Sequence, residues 1–251
     1  MKLSVSIISF NEERNIVRTL KALEGLADEI IVVDSMSTDG TVALAESMGA
    51  KVFKEGWKGH IAQKNSALEK CSCEWILALD CDEIVTPELK ISIKKAIANG
   101  RDYCGYTVNR RTFYMGKLLK YSWQPDMKLR LVRKSANPAW GGYDPHDVLY
   151  TDGKISKLHG DLIHYSFSSF ADHMQKTLKH ARIAAESYAG KNKKSGIFTL
   201  LFRPWLVLIK KLIFKRGILD GIPGIMAAFS GAVYVYMKYA FLWESSKNSV
   251  K

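Results

Sequence analysis

Two carboxylates stand two residues apart, Asp80 and Asp82, where the run Trp75-Ile76-Leu77-Ala78-Leu79-Asp80 gives way to Cys81-Asp82-Glu83. A strand that is apolar up to Asp80 and irregular after it lets both carboxylates turn toward one ligand. Hard oxygen donors of this kind suit Mg²⁺ or Mn²⁺ carrying a diphosphate. A turn or cap at a strand end would use the same residues. Asp34 ends a second apolar run, Glu29-Ile30-Ile31-Val32-Val33-Asp34, and Ser35, Ser37, Asp39, Gly40 and Thr41 follow it. A carboxylate there can accept hydrogen bonds from a ribose or a base, and the turn offers backbone N–H groups near a helix start.

These acids need elements to hold them. Residues 3–10 predict a buried strand, with Asn11 capping a helix that runs to about residue 25. Strands are predicted over 29–34, 50–54 and 75–80, with helices over 40–48, 60–71 and 87–98 between and after them. Ile- and Val-rich strands alternating with helices predict an α/β fold with a mostly parallel sheet covered on both faces. Ligands of such sheets bind beyond the carboxyl ends of the strands, where Asn11, Asp34 and Asp80 all fall. Residues 103–109 and 127–133 alternate and predict strands with one wet face, and 168–189 predicts an amphipathic helix starting near Ser168-Ser169. Between the two strands, Phe113, Tyr114, Met115, Tyr121 and Trp123 read as core or as the wall of an acceptor pocket.

The chain has 251 residues, 47% hydrophobic and 25% charged, with 18 Gly, 6 Pro and 4 Cys. That is the balance of an ordinary folded protein. Four Cys without zinc-finger spacing make neither a disulfide framework nor a structural zinc site, so a reducing compartment is expected. The apolar start is too short for a signal-peptide core, which makes the expected location cytoplasmic. Net charge is +12, but unevenly placed: residues 1–90 hold 10 Lys and Arg against 15 acids, and residues 91–251 hold 27 against 10. An anionic partner for the second half is expected, and no nucleic-acid-binding signature accompanies the charge. Neither Gly-x-Gly-x-x-Gly nor Gly-x-x-x-x-Gly-Lys-Ser/Thr occurs, so dinucleotide oxidoreductases and P-loop NTPases lose their normal support.

Val5-Ser6-Ile7-Ile8-Ser9-Phe10-Asn11-Glu12, Ile31–Thr41, Gln63-Lys64-Asn65-Ser66-Ala67-Leu68 and Leu79-Asp80-Cys81-Asp82-Glu83 together resemble the GT-A glycosyltransferases of family 2. Nearer still is a resemblance to the bacterial lipopolysaccharide core β-1,4-glucosyltransferases of the WaaE/KdtX type. It extends through His146-Asp147 and Gly160–Tyr165 to Lys238-Tyr239, with Asp147 where that group commonly has Glu. The resemblance implies a Rossmann-like GT-A domain over 1–165, with a nucleotide-sugar half (1–100) and an acceptor-side half (101–165). It implies a UDP-sugar donor held by Phe10, Asn11, Glu12, Asp34, Gln63, Asn65 and Asp80, and a divalent metal at Asp82 and Asp80. His164 is a further metal or diphosphate contact, or else a satisfied histidine at a strand end. The activity implied is inverting hexosyl transfer, most simply of glucose to a heptose of the lipopolysaccharide inner core. A polyprenyl phosphate or other glycolipid acceptor and a non-catalytic nucleotide-sugar-binding protein are the alternatives.

An inverting transfer needs a carboxylate to take the acceptor proton. Asp147, in the Gly141–Asp147 stretch read as a flexible loop, is the candidate; Asp144 is the second, with a turn role before Pro145 equally open. Residues 166–251 predict a helical extension. Within it Lys191, Lys193, Lys194, Arg203, Lys210, Lys211, Lys215 and Arg216 occur without an acid between the first and last. Trp- and Phe-rich 197–209 is too short to span a bilayer and predicts a helix lying on the inner face of the cytoplasmic membrane, near a lipid-anchored anionic acceptor. Residues 221–237 form a weaker spanning candidate.

Overall fold

The computed structural model describes residues 2–99, 102–143 and 146–248. The chain forms two compact units, 1–110 with 126–164, and 111–125 with 165–251.

The first unit begins with β1 (Leu3–Ser9), α1 (Glu13–Lys21), β2 (Glu29–Asp34), α2 (Thr41–Ser47), β3 (Lys51–Lys54), α3 (His60–Lys70) and β4 (Trp75–Asp80). It continues with β5 (Glu83–Val85), α4 (Pro87–Asn99) and β6 (Gly105–Tyr114), whose last residues belong to the other unit, where β7 (Lys117–Leu118) lies entirely. β8 (Met127–Arg133), β9 (Ala139–Tyr143), β10 (His146–Tyr150) and β11 (Ile155–His164) complete it. The main sheet has the order β3-β2-β1-β4-β8-β6-β11-β5, and β9 and β10 pair as a separate hairpin. β1 pairs in parallel with β2 and β4, and β2 with β3. In this part the expected parallel sheet is found, and it explains the continuous apolar runs: Val5, Val32 and Leu77 are fully buried. Beyond β4 the expectation of a mostly parallel sheet needs correcting. β4–β8, β8–β6 and β11–β5 are antiparallel. No helix lies between β6 and β8, and a parallel pair would require such a crossover.

Register fixes the site's geometry. Ser9 of β1 pairs with Asp34, and Ile8 pairs with Asp80, so both acids flank the same carboxyl end of β1. Gly160 matters for a different reason: its φ is +88°, and a Cβ there would lie 2.4 Å from the Leu89 nitrogen. Only glycine lets α4 approach β11 so closely. Asn11 is not the cap of α1; Glu12 holds that position without a side-chain cap bond, and Asn11 is left-handed at φ 53°.

The second unit contains β7, α5 (Phe170–Gly190), α6 (Ile197–Ile209) and α7 (Ile222–Asn248). A π-helical turn, Lys210–Phe214, and a 3-10 turn, Gly217–Asp220, join the last two helices. Ser169 caps α5 by accepting the Asp172 backbone N–H, close to the expected start. Residues 111–125 group with this unit, unlike the division at 165 expected from sequence, for two visible reasons. The buried Asp220 carboxylate accepts the backbone N–H groups of Lys120, Tyr121 and Ser122. Tyr114, also buried, bonds its hydroxyl to His173 Nδ1 at 2.7 Å. Tyr114, Met115 and Trp123 are thus packed with Phe167 and Ala227, the core reading of that aromatic stretch. Among the described residues, Ile222–Lys247 is the helix long and apolar enough to cross a membrane by length and composition, with mean hydropathy 1.4; 39% of its 18-residue apolar window is buried by the protein itself.

Candidate active site

At the carboxyl end of β4, Asp80 lies between two cations. Its Oδ1 is 2.8 Å from Lys64 Nζ, and its Oδ2 is 2.9 Å from Arg130 Nη2. The same Lys64 ammonium is 2.8 Å from Asp147 Oδ2. One cation on α3 therefore joins the strand-end acid to a carboxylate on β10. Arg130 also meets the fully buried Glu83 at 2.5 Å, and Glu83 accepts the Asp80 backbone N–H. Arg110 extends the chain of charges from Glu83 to Asp126. Burial alone would push the Asp80 carboxyl up, but Lys64 and Arg130 outweigh it and hold Asp80 well below the usual carboxylate range. Burial pulls Lys64 down, yet Asp80 and Asp147 leave it raised despite Arg130. Both groups are charged at neutral pH.

Asp147 is not in a flexible loop, as its sequence suggested. It lies in β10, directly opposite Gly142 of β9. The hairpin is tied to α3 by Asn65, whose side-chain amide donates to the Trp140 carbonyl at 2.9 Å and accepts the Trp140 N–H at 2.8 Å. Lys64 Nζ lies 4.3 Å from the centroid of the Trp140 ring, which adds a cation–π contact to the hairpin's anchorage. Asp144, the second base candidate, lies outside the described residues.

Asp82 and His164 meet separately: Asp82 Oδ2 is 3.2 Å from His164 Nε2, and β11 ends at His164. Adjacent ligands of an octahedral ion bound at about 2.1 Å are about 3 Å apart, so this pair has the spacing of two ligands of one ion; its carboxylate suits Mg²⁺ or Mn²⁺, and its imidazole favours Mn²⁺, the transition metal, over Mg²⁺. Among the described residues no group of three or more potential ligands occurs. The pair fits an ion whose remaining ligands come from water and a diphosphate. Asp80, with both oxygens in ion pairs, is less available than Asp82.

The residues implied for the nucleotide divide by exposure. Phe10 is 57% exposed. Asn11 accepts the Thr38 N–H, and the Glu12 N–H donates to Thr41. Asp34 is fully buried, accepting from the Ser9 and Ser37 hydroxyls and the Ser37 N–H. Gln63 is also fully buried, and its side-chain oxygen has no hydrogen-bond partner among the described residues. Lys64 and Arg130 were not singled out by sequence. Lys64 shares the buried side of α3 with Ala67 and Leu68, so its signal is a charge on an apolar stripe. Arg130 lies on the polar side of an alternating strand, where a wet face was expected; its side chain is only 3% exposed because Asp80 and Glu83 take its charge.

The sequence profile of glycosyl transferase family 2 matches residues 4–170. The chain belongs to this family. Among curated relatives of this family 2 glycosyltransferase is the lipopolysaccharide core biosynthesis glycosyltransferase LpsC of Rhizobium meliloti, 29% identical over 97% of this chain and 93% of that protein. An uncharacterised glycosyltransferase of Rickettsia felis is 31% identical over 99% of this chain and 93% of its own length. Of solved structures, the mannosyltransferase PcManGT of Pyrobaculum calidifontis, in complex with GDP-Man and Mn²⁺, gives a TM-score of 0.55 at 12% identity, covering 97% of this chain and 87% of that one. Residues 1–349 of S. aureus TarS, in complex with UDP-GlcNAc, give 0.51 at 14% identity over 99% and 92%. These likenesses establish the GT-A-type mixed sheet flanked by helices. The chain is thus a family 2 glycosyltransferase related to a protein of lipopolysaccharide core biosynthesis, a wider grouping than the WaaE/KdtX type that its sequence resembles.

Proposed function

We propose that this protein moves a hexose, glucose from UDP-glucose by first choice, to a heptose of the lipopolysaccharide inner core with inversion at the sugar carbon. The observation that carries the reading is the position of Lys64, 2.8 Å from both Asp80 and Asp147. It brings the acid at the donor end of the sheet and a downstream carboxylate to a single ammonium. In the reaction proposed, the Asp147 carboxylate accepts the proton of the attacking acceptor hydroxyl as the sugar–oxygen bond forms. Lys64 and Arg130 supply positive charge near Asp80 where the diphosphate departs. Phe10, Asn11, Glu12 and Asp34 lie at the strand ends suited to the nucleotide.

Asp82 and His164 would hold a Mg²⁺ or Mn²⁺ ion. When bound, that ion would neutralise charge developing on the leaving diphosphate. The 3.2 Å carboxylate–imidazole approach supports this assignment, as does the Mn²⁺ named with the Pyrobaculum mannosyltransferase. A lipid-anchored acceptor calls for a membrane-facing surface. The exposed Phe198, Phe202 and Trp205 of α6 support peripheral placement on the inner face of the cytoplasmic membrane.

The test offers the purified protein a panel of UDP-, GDP- and TDP-sugars with lipopolysaccharide core acceptors and weighs the products by mass spectrometry. A hexose added to a heptose from UDP-glucose is the expected product. Transfer only to polyprenyl phosphate, or none with any UDP-sugar, would refute the reading.

A further inference from the structure

The second unit has a cavity of about 410 Å³ between the π-helical turn and α7. Its lining includes Trp123 and Gln124, the lysines Lys210, Lys211 and Lys215, and Ala228 of α7. That volume is within the range of small-molecule sites, and the mixture of small apolar wall and convergent cations suits an amphiphilic anion. The lysines converge because the backbone there is π-helical: the Lys215 N–H reaches back to the Lys210 carbonyl at 2.9 Å. The wider turn brings residues five apart near one side, and such turns recur at functional sites.

Lys211 is the informative member. Its aliphatic stem crosses α7 at Gly231, where a Cβ would sit 2.0 Å from Nζ and 2.7 Å from Cε. The missing side chain at Gly231 is what admits the lysine. Among the described residues no carboxylate pairs with its ammonium. Burial pulls Lys211 below the ordinary lysine value, a cost that a bound anion would offset. The nearby acids are already committed: Asp220 to the N–H groups of Lys120, Tyr121 and Ser122, and Asp172 to Lys176. No acid lies between Lys191 and Arg216 to neutralise the cluster.

The same turn is rich in uncovered apolar side chains. Phe214 is 78% exposed and Ile213 65%. α6, which precedes it, exposes Phe198, Phe202 and Trp205. Lysines that converge on a cavity beside exposed aromatic and aliphatic groups match a ligand with a phosphate at one end and hydrocarbon at the other. We propose that Lys210, Lys211 and Lys215 form a binding site for the phosphate of an anionic membrane lipid. Lys211 would be its central donor, and the lipid's hydrocarbon would lie along Ile213, Phe214 and α6. The site does not depend on the sugar-transfer reading, because lipid binding is read without turnover.

Calorimetric titration of the full chain with water-soluble dihexanoyl phosphatidic acid tests the site without a membrane. Dihexanoyl phosphatidylcholine and inorganic phosphate serve as the two other ligands. The phosphatidic acid should bind, and each of the others should bind at least about tenfold more weakly, since each lacks one half of the recognition. A general surface attraction for a soluble anion would fall by no more than about fivefold for each lysine removed. A charge bonded to phosphate in a site should lose about tenfold or more, so Lys211→Met is expected to exceed that surface figure. Lys215→Met, at an exposed position, should weaken binding in the same direction and guards against misfolding of the first variant. A Lys94→Gln/Lys95→Gln pair, exposed on α4, removes two charges elsewhere and should stay within about twofold. Parental affinity retained by folded Lys211→Met and Lys215→Met variants would overturn the site. So would an equal loss in the α4 pair, or inorganic phosphate binding as tightly as the lipid.

Discussion

Replacing Lys64 with Met tests whether one ammonium organises both carboxylates. At an effective dielectric near 20, unit charges 2.8 Å apart attract by about 6 kcal/mol, and Lys64 makes two such approaches. Desolvating the ammonium, whose side chain is 10% exposed, costs several kcal/mol, and Arg130 repels it. The net loss on removing the cation alone should therefore be about 3–5 kcal/mol, the range for breaking a buried pair and leaving charge behind. Asp80 keeps Arg130 at 2.9 Å, so much of the strain should fall on Asp147. Adding Asp147→Asn to the Lys64→Met variant should then recover about 1–2 kcal/mol, a coupling expected for residues in direct contact. Urea unfolding followed by circular dichroism measures all four proteins of the cycle. A Lys64→Met cost below about 1 kcal/mol would refute the reasoning, as would an Asp147→Asn effect equal in both backgrounds.

Asp147→Asn alone should leave donor binding intact and lower kcat by about 10²–10⁴-fold, checked by steady-state transfer and nucleotide calorimetry. Asp82→Ala and His164→Ala should each weaken Mn²⁺-dependent UDP-sugar binding while leaving the melting temperature near that of the parent; unchanged metal dependence in both would remove the ion from this pair. Glu55, held down to about 2 by Lys70, Ser66 and Lys58, should stabilise the fold fully above its unfolded value of 4.5. Burial raises Glu29, but bonds from Ser4, Ser72 and Lys51 bring it to about 2 as well. Both depressed carboxylates lose their contribution as pH falls from about 4.5 to about 2, so a Glu29→Gln/Glu55→Gln variant should show a flatter melting-temperature profile there than the parent. Parallel profiles would contradict these ion pairs.

Sequence was most informative where local pattern and burial agree. The runs 29–34, 75–80 and 127–133 are strands with those bounds because apolar density and breakers mark both ends. The antiparallel half was less legible: β5 and β7 are too short to show a period, and pairing of β4 with β8 is a tertiary choice. Asp34, Asp80 and Asp82 stood out because an acid ending an apolar run is locally conspicuous. Lys64 and Arg130 did not, since a buried charge is justified only by partners far along the chain, such as Asp147 for Lys64. Asn65 shows the opposite case. It sits in a family-like run, yet its amide clamps Trp140 on both sides, a bond pair that no local spacing reveals.

The Asp220 clamp also bears on the order in which the molecule can be made. The N–H of Ser122 finds its acceptor 98 residues later in the chain. At synthesis rates of about 5–20 residues per second, the segment around Lys120 emerges about 5–20 s before the carboxylate that ties it down. Until then its backbone donors must be met by water or by a holding chaperone, and Tyr114 waits similarly for His173. The first unit faces a shorter delay, since its last strand ends at His164. The nascent protein would pass through a stage with a nearly complete nucleotide half and an unfinished second unit. A ribosome paused before residue 220 would hold it there, its aromatic segment still without its anchor.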